Sequence, residues 1–235
     1  MALTSQPVLG LIYDVHGNLE ALEAVLADAG EAGIGRFLLG GDYALFGLRP
    51  AETVARLREL DAQMIRGNVD RWTAHPHDAP DDAVLQAAIV ECREQLGDRV
   101  VADLDALPEW LTDEGRVRFT HGSPISDVRS FAPEPQDEDE ELLGGHGEPL
   151  QVFGHTHIPF EREGPGGVRL VNPGSVGMPM DGDQRASWAI LHDDGRIEHR
   201  RVAYDWTAVV VGLRETGAPW AERSARRIEG AQFVG

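Results

Sequence analysis

Apolar residues in this chain fall in short runs that close repeatedly on a small polar cluster. Val8 to Tyr13 is rich in β-formers and ends at Asp14-Val15-His16-Gly17-Asn18. From Leu19 the spacing turns helical, with Leu19, Leu22, Val25, Leu26 and Ala29 on one face, and the stretch Gly30 to Gly35 ends the helix. Arg36 to Leu39 predicts a second strand, closing on Gly40-Gly41-Asp42. Pro50 opens a helix through Val54, Leu57 and Leu60, and Ala62 to Arg66 predicts a third strand ending at Gly67-Asn68-Val69-Asp70. Strand, polar cluster and helix in repetition form a βαβ arrangement, in which function gathers at the carboxyl ends of the strands.

The middle of the chain breaks this rhythm. Arg71 to Pro80 predicts a loop, followed by a helix over Asp81 to Leu96 and a shorter one near Val100 to Leu107. Trp110 to Thr120 predicts a hairpin that turns at Asp113-Glu114-Gly115 and delivers His121-Gly122-Ser123. Pro124 to Pro149 is rich in Pro, Gly and acid, and is expected to be a long surface excursion of the lid type. Its acidic run, Asp137 to Glu141, is expected to be a solvated face. Leu150 to Phe153 predicts a strand ending at Gly154-His155-Thr156-His157. Strands follow near Ile158 to Arg162 and up to Asn172, then the turn Asn172-Pro173-Gly174-Ser175. A hairpin over Ala186 to His192 and Arg196 to Tyr204, then helices over Asp205 to Gly217 and Pro219 to Gly230, complete an α/β pattern without internal repeats. The expectation is one domain over 1–235, with lid or insert segments at 71–110 and 124–149.

Composition narrows the function. The chain has 235 residues, with 21 basic against 40 acidic side chains and a formal charge of −19. Every basic residue is arginine, which excludes a Schiff-base lysine, a phosphate-loop lysine and a kinase strand lysine. The single cysteine, Cys92, excludes a disulfide framework, a CxxC redox pair and a thiolate zinc knuckle, and suits a reducing cytoplasm. Strong acidity argues against duplex nucleic acid or an anionic membrane as partners. Met1 to Pro7 does not have the pattern of a signal peptide, and no apolar run approaches membrane-spanning length.

The polar clusters at the predicted strand ends hold Asp14 and His16, Asp42, Asn68, His121, His155 and His157. All are oxygen or imidazole donors, which suits Mn, Fe, Zn, Co or Ni better than calcium. Residues two apart in an extended segment project to the same side, so Asp14 with His16, and His155 with His157, offer convergent pairs. Seven donors exceed what one ion needs and fit two ions that share a carboxylate.

The blocks Asp14-Val15-His16-Gly17-Asn18, Gly41-Asp42, Gly67-Asn68, His121-Gly122-Ser123, Gly154-His155-Thr156-His157 and Asn172-Pro173-Gly174-Ser175-Val176-Gly177 resemble, in order, those of the calcineurin-like metallophosphoesterases, most closely the small bacterial and archaeal phosphodiesterases. The resemblance covers about Val8 to Tyr204. It implies a four-layer αββα sandwich of two mixed sheets flanked by helices. It also implies that Asp14, His16 and His157 bind one divalent ion, that Asn68, His121 and His155 bind another, and that Asp42 bridges them, with manganese favoured. A hydroxide bridging the two ions would attack phosphorus in line. A small phosphoester is the expected substrate and a homodimer the default assembly. The alternatives are a phosphomonoesterase acting on proteins or nucleotides, and a non-catalytic scaffold like the fold's representative in the retromer complex.

One block departs from the pattern. In most of the family the asparagine ligand is followed by a histidine that protonates the leaving oxygen; here that position is Val69, while the acidic residue after it, Asp70, is kept. Asp70, together with Asp42, is therefore a candidate catalytic residue, with His75, His77 and His146 as further candidate acids whose more common role is solvated. Asn18 and Asn68 are candidate substrate contacts, although Asn18 equally suits a helix cap. Arg71 and Arg185 either meet substrate anions or form surface ion pairs, the second being the commoner use. His192 and His199 receive no function, and Trp72, Trp110, Trp188 and Trp206 are expected in core or interface. A general acid typically contributes about 10²–10⁴-fold, so its loss should penalise alkyl leaving groups most. Replacing Val69 with His should flatten the dependence of rate on leaving-group pKa, measured over a series of phosphodiesters; an unchanged slope would sink the idea.

Overall fold

The computed structural model of the chain describes residues 8–113 and 115–234. The signal-peptide reading of Met1 to Pro7, and the place of Glu114 in the hairpin turn, fall outside the described residues. The first sheet contains β1 (Leu9–Ile12), β2 (Phe37–Leu39) and β3 (Ala62–Met64), parallel to one another. These alternate with α1 (Leu19–Glu31) and α2 (Pro50–Arg58), the βαβ grammar expected. The second sheet contains β4 (Trp110–Asp113), β5 (Val117–Thr120), β6 (Leu150–Val152), β7 (Phe160–Glu163) and β8 (Arg169–Asn172), in the order β4-β5-β6-β8-β7. Its three central strands are parallel and both edges antiparallel. The late hairpin, β9 (Ala186–Leu191) and β10 (Ile197–Val202), returns to the first sheet and completes its order β10-β9-β1-β2-β3. Both sheets are therefore mixed and five-stranded.

Two apolar layers result from the alternation of side chains along the strands. Leu11, Tyr13 and Leu38 of the first sheet meet Phe119, Val152 and Val171 of the second in the seam between the sheets. The other face of the first sheet packs with Leu22, Val25, Val54 and Leu57 from α1 and α2. That layer also holds α3 (Asn68–Ala74), α4 (Ala83–Asp105), α6 (Trp206–Thr216) and α7 (Ala221–Gly230). Among the described residues, no helix is long and apolar enough to cross a membrane.

The expected helices at Asp81 to Leu96 and Val100 to Leu107 are one passage, α4, broken at Gly97, where φ 74° and ψ 155° lie in a region open essentially to glycine. Where a loop was expected at Arg71 to Pro80, α3 runs to Ala74 and a 3₁₀ turn occupies Pro76–Asp78. Seven residues with a proline close behind carry little intrinsic helix signal. The helix forms because the Asp70 carboxylate accepts the Gly67 N–H at 2.9 Å, and because Val69 and Thr73 are buried on the core side.

The segment 124–149 covers the outer face of the second sheet. Phe131, Leu142 and Leu143 are buried against Phe153, Val168 and Leu170, and the segment holds a five-residue helix, α5 (Asp139–Leu143). The acidic run is not a uniformly solvated face: Asp139 is buried and pairs with Arg162 at 2.8 Å, while Glu138 and Glu141 clasp Arg129. Trp188 is fully buried and donates to Asp28. Trp72 and Trp206 pack at the core margin, whereas Trp110 is half exposed beneath the Arg118 guanidinium.

Candidate metal centre

The two sheets stack with the carboxyl ends of β1, β2, β3, β5 and β6 at a common edge, so the loops that leave them converge. Asp14, His16, Asp42, Asn68, His121 and His157 are buried there and His155 is partly buried. Asp14, His16, Asp42 and His157 each present one ligand atom, all within 4.8 Å of one another. Among the described residues, seven other than glycine have positive φ, and five of these belong to this set: Asp14 (54°), His16 (49°), Asp42 (60°), His155 (68°) and His157 (60°). Left-handed backbone costs a side-chain-bearing residue on the order of 1–2 kcal/mol. Its concentration here is the mark of a functional site held by the surrounding fold.

Close crossing of the loops accounts for the glycines in the motifs. A Cβ at Gly67 would lie 2.1 Å from Asp42 Oδ1, and one at Gly154 would lie 2.5 Å from Asp14 Oδ2. The turn after β8 ties the loops together. Asn172 donates to the Gly154 carbonyl and to Thr156, and Ser175 donates to the Asp14 carbonyl at 2.7 Å. Tyr43 braces the loop after β2, its hydroxyl 2.6 Å from the Ile65 carbonyl and 2.8 Å from the Leu39 carbonyl, with its one proton shared between them. Sequence reasoning assigned no role to these residues, although the Asn-Pro-Gly-Ser turn was visible as a block.

Hydrogen bonds set the ring orientations. His16 Nδ1 lies 3.0 Å from the Leu45 carbonyl and His157 Nδ1 lies 2.6 Å from the Met178 carbonyl, so each donates there. Each Nε2 is left with a lone pair, and the two lie 3.1 Å apart. His121 likewise donates from Nδ1 to the Gly40 carbonyl. Its Nε2 faces Asn68 Oδ1 at 2.8 Å and Asp42 Oδ1 at 3.3 Å, and His155 Nδ1 lies 2.9 Å from the same Asn68 oxygen. Asp14 Oδ1 is buried without a hydrogen-bond partner, 3.4 Å from His157 Nε2. Donor atoms sharing one ion through bonds of about 2.1 Å stand about 3.0–3.4 Å apart. The facing lone pairs, the orphaned oxygen and these separations all fit divalent cations.

The electrostatics point the same way. Burial pushes His16 and His155 down to about 4, helped by the neighbouring imidazoles His157 and His121 respectively. Burial also works against a charge on His121, but the carboxylates of Asp42 and Asp14 outweigh it and hold this imidazole up to about 10. Burial alone would raise Asp14 and Asp42; the surrounding imidazoles, His157 at Asp14 and His121 at Asp42, hold both well below the ordinary carboxylate range. Without metal, the site keeps a proton on His121 between the two carboxylates.

A cavity of about 510 Å³ opens onto this cluster, lined by His16, Asp42, Asn68, His155 and His157 and on the other side by apolar groups including Val69 and Trp72. Several expected contacts lie elsewhere. Asn18 caps α1 by accepting the Ala21 N–H, and its amide donates to the Gly177 carbonyl and to Tyr204; it does not line the cavity. Asp70 does not line it either. Its two oxygens accept the N–H groups of Asp42, Tyr43 and Gly67 at 2.9, 3.2 and 2.9 Å, so it positions the Asp42 loop. Burial raises Asp70 to about 7, with the nearby Asp42 charge adding to the effect. His75 pairs with Asp105 on the surface, His77 is exposed, and neither these nor His146 lines the cavity. Arg71 pairs with Asp127 and Asp78, and Arg185 with Asp183.

Two mixed sheets whose strand ends converge on oxygen and imidazole donors define a metal-dependent hydrolase. The calcineurin-like phosphoesterase superfamily domain matches residues 8–196, and the chain belongs to that family of phosphoric ester hydrolases. It is 31% identical over 217 residues to an uncharacterised protein of Methanocaldococcus jannaschii, covering 84% of this chain and 88% of that one. It is 29% identical over 193 residues to phosphodiesterase YfcE of Escherichia coli, covering 77% and 85% of the two chains. The crystal structure of a metallophosphoesterase from Sphaerobacter thermophilus superposes with a TM-score of 0.81 at 30% identity, covering 96% of this chain and 99% of that one.

Replacing Asp70 with Asn puts an NH₂ where backbone N–H groups converge. Urea denaturation of the metal-free protein should show a loss of about 1–3 kcal/mol. An unchanged midpoint, combined with loss of one limb of the pH–rate profile, would instead make Asp70 a proton donor.

Proposed function

We propose that the protein is a phosphodiesterase with two divalent ions, and that the pairing of donors around the shared Asp42 carries this reading. Asp42 Oδ2 lies 3.8 Å from His16 Nε2, on the side of Asp14 and His157, while Oδ1 lies 3.3 Å from His121 Nε2, on the side of Asn68 and His155. One group would be Asp14, His16 and His157, the other Asn68, His121 and His155. When bound, such ions supply Lewis acidity that activates water near neutral pH and neutralises phosphoryl oxygens. An oxygen and imidazole set without thiolate is permissive among first-row metals, and manganese is the favoured ion.

The chain's own residues do the rest. Carbonyls hold His16, His121 and His157 with their Nε2 lone pairs toward the cluster, which keeps the ligands basic and aligned. Val69 donates its backbone N–H to Asp42 Oδ1 at 3.1 Å and presents an apolar side chain to the cavity. No proton donor stands at that position, so the site favours diesters and aryl esters, whose leaving groups need little protonation. The buried, reduced thiol of Cys92 agrees with a cytoplasmic setting.

Protein purified without chelator should contain divalent metal and, with manganese added, hydrolyse bis(p-nitrophenyl) phosphate in preference to p-nitrophenyl phosphate. Asp42→Asn should lower that rate by about a hundredfold or more. Turnover of neither ester, with the variant indistinguishable from the parent, would favour the scaffold reading.

Ligation also predicts proton release. His121, held up to about 10, is protonated at pH 8 and must lose its proton to bind a metal. Manganese uptake at pH 8 should release about one proton from this group, and affinity should rise with pH toward 10. Calorimetry in buffers of different ionisation enthalpy reads the proton directly. Uptake without release would remove His121 from the ligand set.

A further inference from the structure

Helices α6 and α7 lie beyond the family match, which ends at residue 196, and α7 brings an unusual cation to the metal cavity. Arg227 is only 9% exposed and lines the cavity. Its Nε donates to the Val234 carbonyl at 2.8 Å, and its guanidinium lies against the rings of Phe46 and Phe233. Among the described residues no carboxylate stands within ion-pair distance of it. The acid on the same rim, Asp82, is engaged at 2.9 Å by Arg223 and caps α4. With 40 acidic side chains available to 21 arginines, a buried guanidinium without an acid is conspicuous. Among the described residues Arg99 also has no ion pair, but it lies on the exposed surface.

An uncompensated buried cation is costly, and such groups are retained where a ligand brings the counter-charge. Desolvation, with the like charge of Arg223 and against a smaller pull from Asp82, holds Arg227 down to about 10, still protonated at neutral pH. Phe46 neighbours both parts of the cavity, its ring 6.1 Å from that of His16 and 5.6 Å from the Arg227 guanidinium carbon. Arg227 itself makes no hydrogen bond or ion pair with Asp14 or Asp42. The cavity thus offers two separate electropositive points once metal is bound, with apolar walls from Trp72, Leu85, Met178 and Met180 beside them.

We propose that Arg227 is a specificity-determining residue that receives a second phosphate, so that the substrate class is a small phosphoester carrying two separated phosphates joined by an apolar or planar portion. The proposal rests on the phosphoesterase reading of the cavity. The planar guanidinium matches a phosphate through paired N–H donors, and its position on α7 makes the selectivity a property of the C-terminal helices.

The test is calorimetric titration of manganese-loaded protein with thymidine 3′,5′-bisphosphate and with thymidine 5′-monophosphate, for the parent, Arg227→Met, Arg227→Gln and Arg227→Lys. The parent should bind the bisphosphate about tenfold or more tightly than the monophosphate. Arg227→Met should abolish that preference while leaving monophosphate affinity within about twofold, and Arg227→Lys should keep part of it. Arg227→Gln, which preserves a donor toward Val234, serves if the Met variant does not fold. A parent without preference, or a preference that survives in the Met and Gln variants, overturns the proposal and leaves Arg227 as an anchor for the C-terminal segment. The p-nitrophenyl esters of both nucleotides are assayed in parallel. Preference in binding without turnover of either ester keeps the Arg227 assignment and overturns the phosphoesterase reading; turnover without preference does the reverse.

Discussion

Everything in this molecule is arranged around the difficulty of burying two carboxylates and four imidazoles at one edge of a pair of sheets. Desolvation opposes every charge there, and the Nε2 lone pairs of His16 and His157 face each other at 3.1 Å. A group of this kind is stable in a dry place only with cations among its members. The protein meets that condition through geometry: five loops leave parallel strands on the same side, and backbone carbonyls of Leu45, Met178 and Gly40 fix the ring tautomers. The left-handed backbone at five of the donors follows from the same demand, because an ordinary turn would carry those side chains away from the common point.

The supporting residues take their meaning from this constraint. Asp70 is a buried carboxylate whose oxygens hold three backbone N–H groups, which ties the loop after β3 to the loop after β2. Asn172 and Ser175 link the loops after β6 and β1 from the far side. None of these groups faces the cavity, and each acts by limiting where a donor atom can stand. Second-sphere contacts of this kind orient metal ligands in general.

Charge is distributed to the same end. The chain is strongly acidic and free of lysine, and its arginines are almost all matched to carboxylates on the surface or in the core, as Arg162 is to Asp139. In the proposed reading, the cavity with its donor cluster and Arg227 is where a phosphate finds compensating charge. Long polyanions meet an acidic exterior, whereas a small phosphoester meets the one region where negative charge is compensated.

The donor residues and most strands were legible in the sequence because their signals are local, while the two-sheet sandwich was implied by the family resemblance. Strand runs closing on Asp-x-His, Gly-Asp, Gly-Asn, His-Gly-Ser and His-x-His name the candidate donors, and alternation along each run assigns its two faces. Roles that depend on what lies opposite were not legible. Asn18 and Asp70 sit within the motifs, yet one caps a helix and the other anchors backbone, since only the folded chain shows which atoms each side chain meets. The helix at Asn68–Ala74 escaped notice because a contact three residues away stabilises it, not its own propensity. The segment 124–149 looked polar although Phe131, Leu142 and Leu143 bury a separate apolar patch. Arg227 illustrates the limit most clearly. In sequence it is one arginine among many on an amphipathic helix, and only tertiary packing decides that its charge lies buried beside the cavity without an ion-pair partner. Short-range pattern determined which residues are chemically capable; long-range packing decided which of them share one space, and desolvation in that space decides what they do.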